Sequence, residues 1–414
     1  MPDETPNVIA GIDTHADTHH VAIITEYGKR VADKEFLAVG SGYRKIFDFI
    51  TQYGPVIGVG VEGTGSYGAE LARVLARDGL KIHEVNRTNR QARRLRGKSD
   101  PLDAYQAAEA ILADRGLSTP KSRDGAVEAM RVLRAERSSA MRAKVAAINQ
   151  IKSVLVAAPE AIRAKYRGLA NPALIAALER SRPSRNPSDP DEATARTLRR
   201  IAARHRYLEE EIADIDAELD EEVSIHAPHL RAVHGVGTEA ASQLLVTIGD
   251  NPERISSEAQ FAALTGVAPI PASSGKTQRH RLSRGGDRAA NRALHQIVLV
   301  RMSSDPRTKA YVARRQEEGK SSKEIIRCLK RYVARQIYAQ ILHPTPAPDG
   351  GALRVARKKR SITLTSAATT LHASMSHLSR LERGQARDDD LYERYKDWLA
   401  NDPEHPTKTL SKNS

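Results

Sequence analysis

The chain has 414 residues, with 65 Lys or Arg against 51 Asp or Glu, a formal charge of +14, and aromatic residues at only 4%. Two to four domains and a polyanionic partner follow from that length and charge, while the few aromatics argue against binding dominated by base stacking. No apolar run nears the ~20 residues of a membrane span, MPDETPN lacks a signal-peptide pattern, and a lone Cys328 excludes an internal disulfide or cysteine zinc cage; a cytosolic protein with no membrane partner is expected.

Residues 7–120 alternate strand and helix signals. VIAGID, HVAIIT and ADKEFLAV predict three strands in an antiparallel meander. A helix over YRKIFDFITQYG follows, then strand VIGVGVE, helix AELARVLARDG, strand KIHEVN and a helix from about Ser99. Hairpins followed by βαβ alternation indicate a mixed α/β sheet. Gly63, Gly65 and Gly68 permit close backbone approach to a phosphate or to another element.

Four carboxylates stand out in this region. Asp13 and Glu62 each end or interrupt an apolar strand, and Asp100 and Asp103 share one helix face at i and i+3. Strand-borne carboxylates facing a helix-borne pair make an oxygen cage for hard divalent cations such as Mg²⁺. Such cages assist phosphoryl transfer with two ions roughly 3.5–4 Å apart. The plain alternative is a set of solvated charges, with Asp100 before Pro101 serving only as a helix cap. Asp13 resists that alternative, because a carboxylate after VIAGI lies near the sheet core and needs a partner. His15, His19 and His20 fit no compact zinc spacing and read as structural or phosphate-facing. Arg87, Arg90, Arg93, Arg94, Arg96 and Lys98 precede Asp100, either to hold a nucleic-acid strand over the cage or as a solvated run.

Residues 121–226 are helical in pattern. Ile201, Leu208, Ile212, Ile215, Leu219 and Val223 form a coiled-coil-like seam, antiparallel to an arm around Ile148, Ile151 and Leu155. SRPSRNPSDPDE (181–192) separates the arms as a loop. These arms serve either oligomerisation or simple spacing.

Residues 227–343 predict a second, mainly helical unit. HLRAVHGVGTEAASQLLVTIG reads as helix, GVG turn, helix, which suits phosphate contact or an ordinary tight turn. PIPASSGKTQRHRLSRGGDRAANRAL (269–294) clusters Lys276, Arg279, Arg281, Arg284, Arg288 and Arg292 around small residues, with Asp287 the only acid. Guanidinium groups on such a loop suit bidentate phosphate clamping. Ser273 and Ser274 precede Gly275; either could be a nucleophile if its surroundings remove the proton, or merely a phosphate grip. Residues 344–360, Pro/Gly-rich and then basic, mark a linker. A small helical module covers 361–401.

Together GIDTH, GVGVEGTGSYG, RGKSDPLDA, HGVGTEAASQLLVTIGD, the basic serine loop and SSKEIIRCLKRYVAR resemble the DEDD class of insertion-sequence transposases, the IS110 family, in order over about residues 7–342. The resemblance implies a RuvC-like, RNase-H-fold first domain whose DEDD carboxylates match Asp13, Glu62, Asp100 and Asp103. It implies a transposase-specific second domain whose serine, matched best by Ser274, attacks DNA. It further implies Mg²⁺, element-end and target DNA, a structured bridge RNA, and a homo-oligomer (dimer or tetramer). The tail departs from shorter members of that family and resembles a Cro/XRE-type helix-turn-helix, with Ala367–Leu371 in the first helix and Ser376, His377, Ser379 and Arg380 in the recognition helix. Two alternatives remain: a metal-only RuvC-like nuclease or junction resolvase, and a non-enzymatic DNA-binding regulator.

Overall fold

The structure is a computed structural model that describes residues 6–85, 99–184, 188–272, 280–281, 283–346 and 348–401. The chain divides into two compact units, Met1–Gly125 with Ile248–Ser256, and Ala126–Thr247 with Ser257–Ser414.

The first unit is built on a six-stranded sheet in the order β3-β2-β1-β4-β5-β6. Strands β1 (Val8–Thr14), β2 (Thr18–Thr25) and β3 (Arg30–Leu37) form the expected antiparallel meander. Strands β4 (Val56–Val61) and β5 (Ile82–Val85) run parallel to β1, and the short β6 (Leu117–Ser118) returns antiparallel. Helices α1 (Gly40–Thr51) and α2 (Ala69–Arg77) cover one face, where Val8, Ala10, Ile12, Val59 and Val61 meet Ile46, Ile50, Leu71 and Leu75. Helix α3 (Asp100–Leu112) covers the other, where Ile9, Ala22 and Ile24 meet Ala104, Tyr105 and Ala108. Because both faces are buried, β1 and β4 read as continuous apolar runs rather than alternating ones. This is a mixed α/β sheet of the kind expected for an RNase-H-like domain.

Glycines set how closely α3 approaches. A Cβ on Gly11 would stand 2.0 Å from the Ala104 carbonyl oxygen and 2.3 Å from the Ala108 nitrogen, and one on Gly60 would stand 2.6 Å from the Ala107 oxygen. Residues 248–256 belong with this unit: the Asn251 amide donates to Pro120 O at 3.0 Å and accepts from Ser122 N at 3.2 Å.

The second unit is mostly helical. Helix α4 (Ala126–Ala157) is followed by α5 (Glu160–Tyr166), α6 (Asn171–Glu179) and α7 (Pro190–His226). Ile148 and Ile151 pack with Leu198 and Ile201, and Ala140 with Leu208 and Ile212, so α4 and α7 run antiparallel. Lys144–Glu209 at 2.7 Å and the Arg137–Asp216 pair reinforce the same register. The seam residues Ile215, Leu219 and Val223 are buried too. The GVG segment is a tight turn with Gly235 at φ +83, between α8 (Pro228–Ala232) and α9 (Thr238–Ile248).

Helices α10 (Glu258–Leu264), α11 (Arg288–Ser304), α12 (Pro306–Glu317) and α13 (Ser322–Leu342) follow, with a two-residue hairpin base, β7 (Ile270–Pro271) and β8 (His280–Arg281), inside the basic loop. One expectation is corrected here. The basic stretch assigned to a linker over 344–360 is helical across α14 (Gly350–Lys359), where Asp349 caps by accepting from Ala352 N at 3.1 Å. Leu353 and Arg357 are buried there, so this helix packs with α15 (Leu364–Thr370), α16 (Met375–Glu382) and α17 (Asp389–Asn401) as one module. A Pro-rich composition hid a helix that begins immediately after its prolines.

Inside that module Arg357 and Glu382 make a buried two-pronged ion pair at 2.6 and 2.9 Å, and the Tyr395 hydroxyl donates to the same carboxylate at 2.7 Å. Burial alone would raise the Glu382 pKa, but the hydrogen bonds from Arg357 and Tyr395 outweigh it and hold the carboxyl below its usual 4.5. A depressed folded-state value stabilises above the unfolded value, and that stability disappears as pH falls through the folded one.

Two outcomes are expected from unfolding curves. Gly11→Ala lowers stability by about 1–3 kcal/mol or more through overpacking, whereas Gly40→Ala, with nothing within 4 Å of the new Cβ, leaves the melting temperature near wild type. Glu382→Gln weakens the C-terminal module at neutral pH and removes the part of the wild-type stability loss that appears below about pH 4.5, read by Trp398 fluorescence. An identical acid profile in both proteins would contradict the second expectation.

Candidate functional site

The two central strands deliver the first carboxylates. Ile12 pairs with Val61 across the parallel ladder, and Glu62 N donates to Ile12 O at 3.0 Å, so Asp13 and Glu62 leave the sheet as neighbours. Side chains alternate along a strand. Asp13 therefore shares a face with Ile9 and Gly11, and Glu62 with Gly58 and Gly60, which is the face α3 covers. Asp103 lies on the same stripe of α3 as Ala104, Ala107 and Ala108 and is 1% exposed; Asp13 is 6% exposed. Glu62 and Asp100 are half-buried.

Asp100 is not the helix cap. Ser99, in extended conformation, holds that position, and Asp100 is the first helical residue, followed by Pro101. Its carboxylate is directed toward His15 instead. His15 Nδ1 stands 3.8 Å from Asp13 Oδ2, and Nε2 stands 3.9 Å from Asp100 Oδ1. One donor atom from each of Asp13, His15 and Asp100 lies within 4.8 Å of the others. His15 presents a different ring nitrogen to each carboxylate, so a single small divalent ion, with ligands about 2.0–2.2 Å away, would take one of these nitrogens and draw the three donors somewhat closer than 4.8 Å. Two carboxylates, one of them buried, and an imidazole make a donor set that fits such an ion.

His15 escaped sequence reasoning because metal-ligand spacing was sought among histidines alone. The available signal was its place two residues beyond Asp13, the alternation that keeps two side chains on one sheet face. The structural reading of the other two histidines is borne out. His19 is fully buried and stacked on Tyr43, with ring centroids 5.8 Å apart, and burial holds its imidazole below the usual pKa. His20 Nε2 is 2.8 Å from Asp33.

Neighbouring groups fix the α3 end. The Tyr105 hydroxyl donates to Asp33 Oδ1 at 3.0 Å, and burial followed by this bond pushes its pKa up to about 12, so it stays a neutral donor. Arg30 stacks 4.2 Å above the Tyr105 ring and pairs with Glu109 at 3.6 Å. Thr14 Oγ1 donates to Glu62 O at 2.8 Å, and Gly63 turns at φ +70 against that hydroxyl. The glycines after Glu62 thus let backbone approach another element.

The basic candidates divide. Arg87, Arg90, Arg93, Arg94, Arg96 and Lys98 lie outside the described residues, as do Ser273, Ser274, Lys276 and Arg279. The loop bearing the serines is closed at its base by Pro271 pairing with His280 and Ile270 with Arg281. Arg281, Arg284 and Arg288 are exposed, and Arg288 opens helix α11 rather than lying in the loop. Asp287, the loop's only acid, caps that helix by accepting from Ala289 N at 2.7 Å and also accepts from Thr247 Oγ1 at 2.7 Å. In α16, capped by Ser374, Ser376 is exposed. Arg380 is half-buried and donates to Gln385 O at 3.0 Å; burial, then the nearby Arg231 and Arg383, lower its pKa.

Comparison with known proteins adds independent findings. The family model for DEDD-type IS110 transposases matches residues 10–158, and that for the transposase IS116/IS110/IS902 family matches residues 227–313. The chain is 27% identical over 303 residues to the transposase for insertion sequence element IS1328 of Yersinia enterocolitica, covering 72% of this chain and 85% of that protein. It is 23% identical over 386 residues to an uncharacterized 42 kDa protein of insertion element IS900 from Mycobacterium paratuberculosis, covering 81% and 95%. Among the described residues no helix is long and apolar enough to cross a membrane.

Ion binding at the carboxylate cluster should appear as a rise in melting temperature with Mg²⁺ or Mn²⁺ over EDTA. At a ligand concentration a hundredfold above Kd the gain is about 2.7 kcal/mol. Asp13→Asn and His15→Ala should each shrink that rise; an unchanged rise in both would remove these residues from the ion site.

Proposed function

We propose that the chain works as an insertion-sequence transposase of the IS110 type, catalysing DNA cleavage and strand transfer, and that its residues divide the work as follows. Asp13, Glu62, Asp100 and Asp103 bind Mg²⁺, with His15 beside them. Ser274, in the loop that β7 and β8 close, is the nucleophile. The observation that carries the first assignment is the convergence of Asp13, His15 and Asp100 at one end of the sheet, above the buried Asp103. When bound, divalent metal supplies Lewis-acid charge at phosphoryl oxygens.

In the serine step, the Oγ–P bond forms as a P–O bond of one DNA strand breaks. The proton that leaves Oγ is balanced by the proton the departing oxygen gains. The phosphoserine link keeps the energy of the broken bond, and a strand hydroxyl later reverses the attack, so no high-energy cofactor is consumed. Arg281, Arg284 and Arg288 neutralise phosphates drawn to the loop. The reading includes a structured bridge RNA and a homo-oligomer as partners. It assigns the antiparallel α4 and α7 to a coiled-coil arm. It assigns α15 and α16 to a helix-turn-helix whose Ser376 and Arg380 contact DNA, supported by the Ser374 cap and the exposure of Ser376.

A metal-only nuclease, in which water attacks, is separated from this reading by one substitution. Ser274→Ala should abolish cutting, by a factor of at least about 10³, with DNA binding intact, while Ser273→Ala retains most activity. Near-normal cutting by Ser274→Ala, or no protein–DNA adduct at that serine on mass mapping, would refute the serine step.

A further inference from the structure

The second unit contains a groove of about 880 Å³ that the assignments above leave unused. One wall is the hairpin base with Arg281; the other is the end of α12 and one face of α13. Arg281, Lys320, Arg327 and Lys330 line it, and Glu324 is the only carboxylate among its described lining residues. Glu324 is already engaged, accepting from Ser321 N at 3.0 Å and Ser321 Oγ at 2.7 Å in the capping box of α13. The nearby Glu258 is taken by Arg331 and Arg335. Among the described residues, none of Arg281, Lys320, Arg327 and Lys330 pairs with a carboxylate.

Lys330 is the most telling member. It is 8% exposed, and its ammonium donates to Asn291 Oδ1 at 2.7 Å. Asn291 is itself fixed by bonds from Nδ2 to Thr265 O at 2.9 Å and Gly266 O at 3.0 Å. That network anchors a cation deep in the groove with a neutral amide as its partner. Glu324 offsets Lys320 and Arg327 only in part, and an excess of like charges at one concavity concentrates a polyanion there.

A second observation narrows the ligand. Tyr332 is 54% exposed beside the groove, held edge-on against Tyr311 at 5.9 Å, with Arg335 5.9 Å from its ring centroid. Cations that follow a backbone, next to an exposed aromatic ring, are the pairing that holds unpaired nucleotides. A duplex keeps its base faces stacked and leaves such a ring idle.

We propose that this groove seats an unpaired DNA segment, with phosphates over Arg281, Lys320, Arg327 and Lys330 and one base on Tyr332. That the polyanion is DNA rests on the transposase reading; the groove itself does not.

The test uses the full chain in EDTA and fluorescence anisotropy with a labelled single strand of DNA, the same sequence as duplex, and the same sequence as RNA. The double variant Lys320→Glu, Arg327→Glu should weaken single-strand binding at least tenfold at low salt and flatten its salt dependence by about 0.7 per lost contact. Tyr332→Ala should weaken single-strand binding by roughly 5- to 150-fold, with salt slope and duplex binding unchanged. All these positions are partly or fully exposed, and unchanged melting temperatures will exclude misfolding. Wild-type affinity in both variants, an equal loss on duplex for Tyr332→Ala, or a larger loss on the RNA strand than on the DNA strand in the groove variants would each overturn the proposal. If Ser274→Ala still cuts DNA while the groove variants lose single-strand binding, the serine step fails and the groove stands; the reverse pattern removes the groove alone.

Discussion

The first unit depends on how closely α3 lies on β1 and β4. Gly11 and Gly60 offer no Cβ, and the helix answers with Ala104, Ala107 and Ala108, so backbone meets backbone where larger side chains would hold the layers apart. Only at that separation does the first turn of the helix bring Asp100 and Asp103 over the ends of the strands that carry Asp13 and Glu62. The contact fixes a chemical outcome through a steric one. Asp13 and His15 on one side and Asp100 on the other become one neighbourhood because five small residues let the layers close between them.

Burial then sharpens the chemistry. Asp13 and Asp103 sit almost wholly out of water, where negative charge is costly unless positive charge accompanies it. Further along α3, Tyr105 takes up Asp33 of β3 and Arg30 takes up Glu109, while Asp100 in the first turn stays with Asp13 and His15. The helix dipole adds favourable positive potential at that turn.

Much of this was legible in the chain itself. Strand order in the meander, the βαβ continuation and the pairing of α4 with α7 all follow from apolar spacing, which burial turns directly into structure. Asp13 and Glu62 stood out because strands ending in acid after VIAGI and VIGVGV are unusual unless the acid is used, and the structure groups Asp13 with Asp100. His15 was not readable by spacing among histidines, since its meaning comes from Asp13 near the end of β1, just before it, and from Asp100 across space. The helix at 350–359 was hidden for a different reason. Its stability comes from Leu353 in a core with Leu378 and Tyr395, and from Arg357 paired with Glu382 25 residues away, contacts that local composition cannot announce.

The same distinction explains why the groove beside α13 escaped a sequence reading that found the arginines of the serine loop. In the loop, cations crowd along the chain and advertise themselves. On α13 they are interleaved with Ile325, Leu329, Val333 and Ile337, the apolar stripe of an ordinary amphipathic helix, and look like its solvated face. What separates them from such a face is the allocation of acids. Glu324 is spent on a cap, Glu258 on Arg331 and Arg335, Glu318 on Arg315, and Asp287 on the start of α11. Net positive charge is therefore not spread evenly over the unit. Caps and pairs consume these acids locally, and Arg281, Lys320, Arg327 and Lys330 are left in excess over carboxylates at one concavity, where a polyanion would find them.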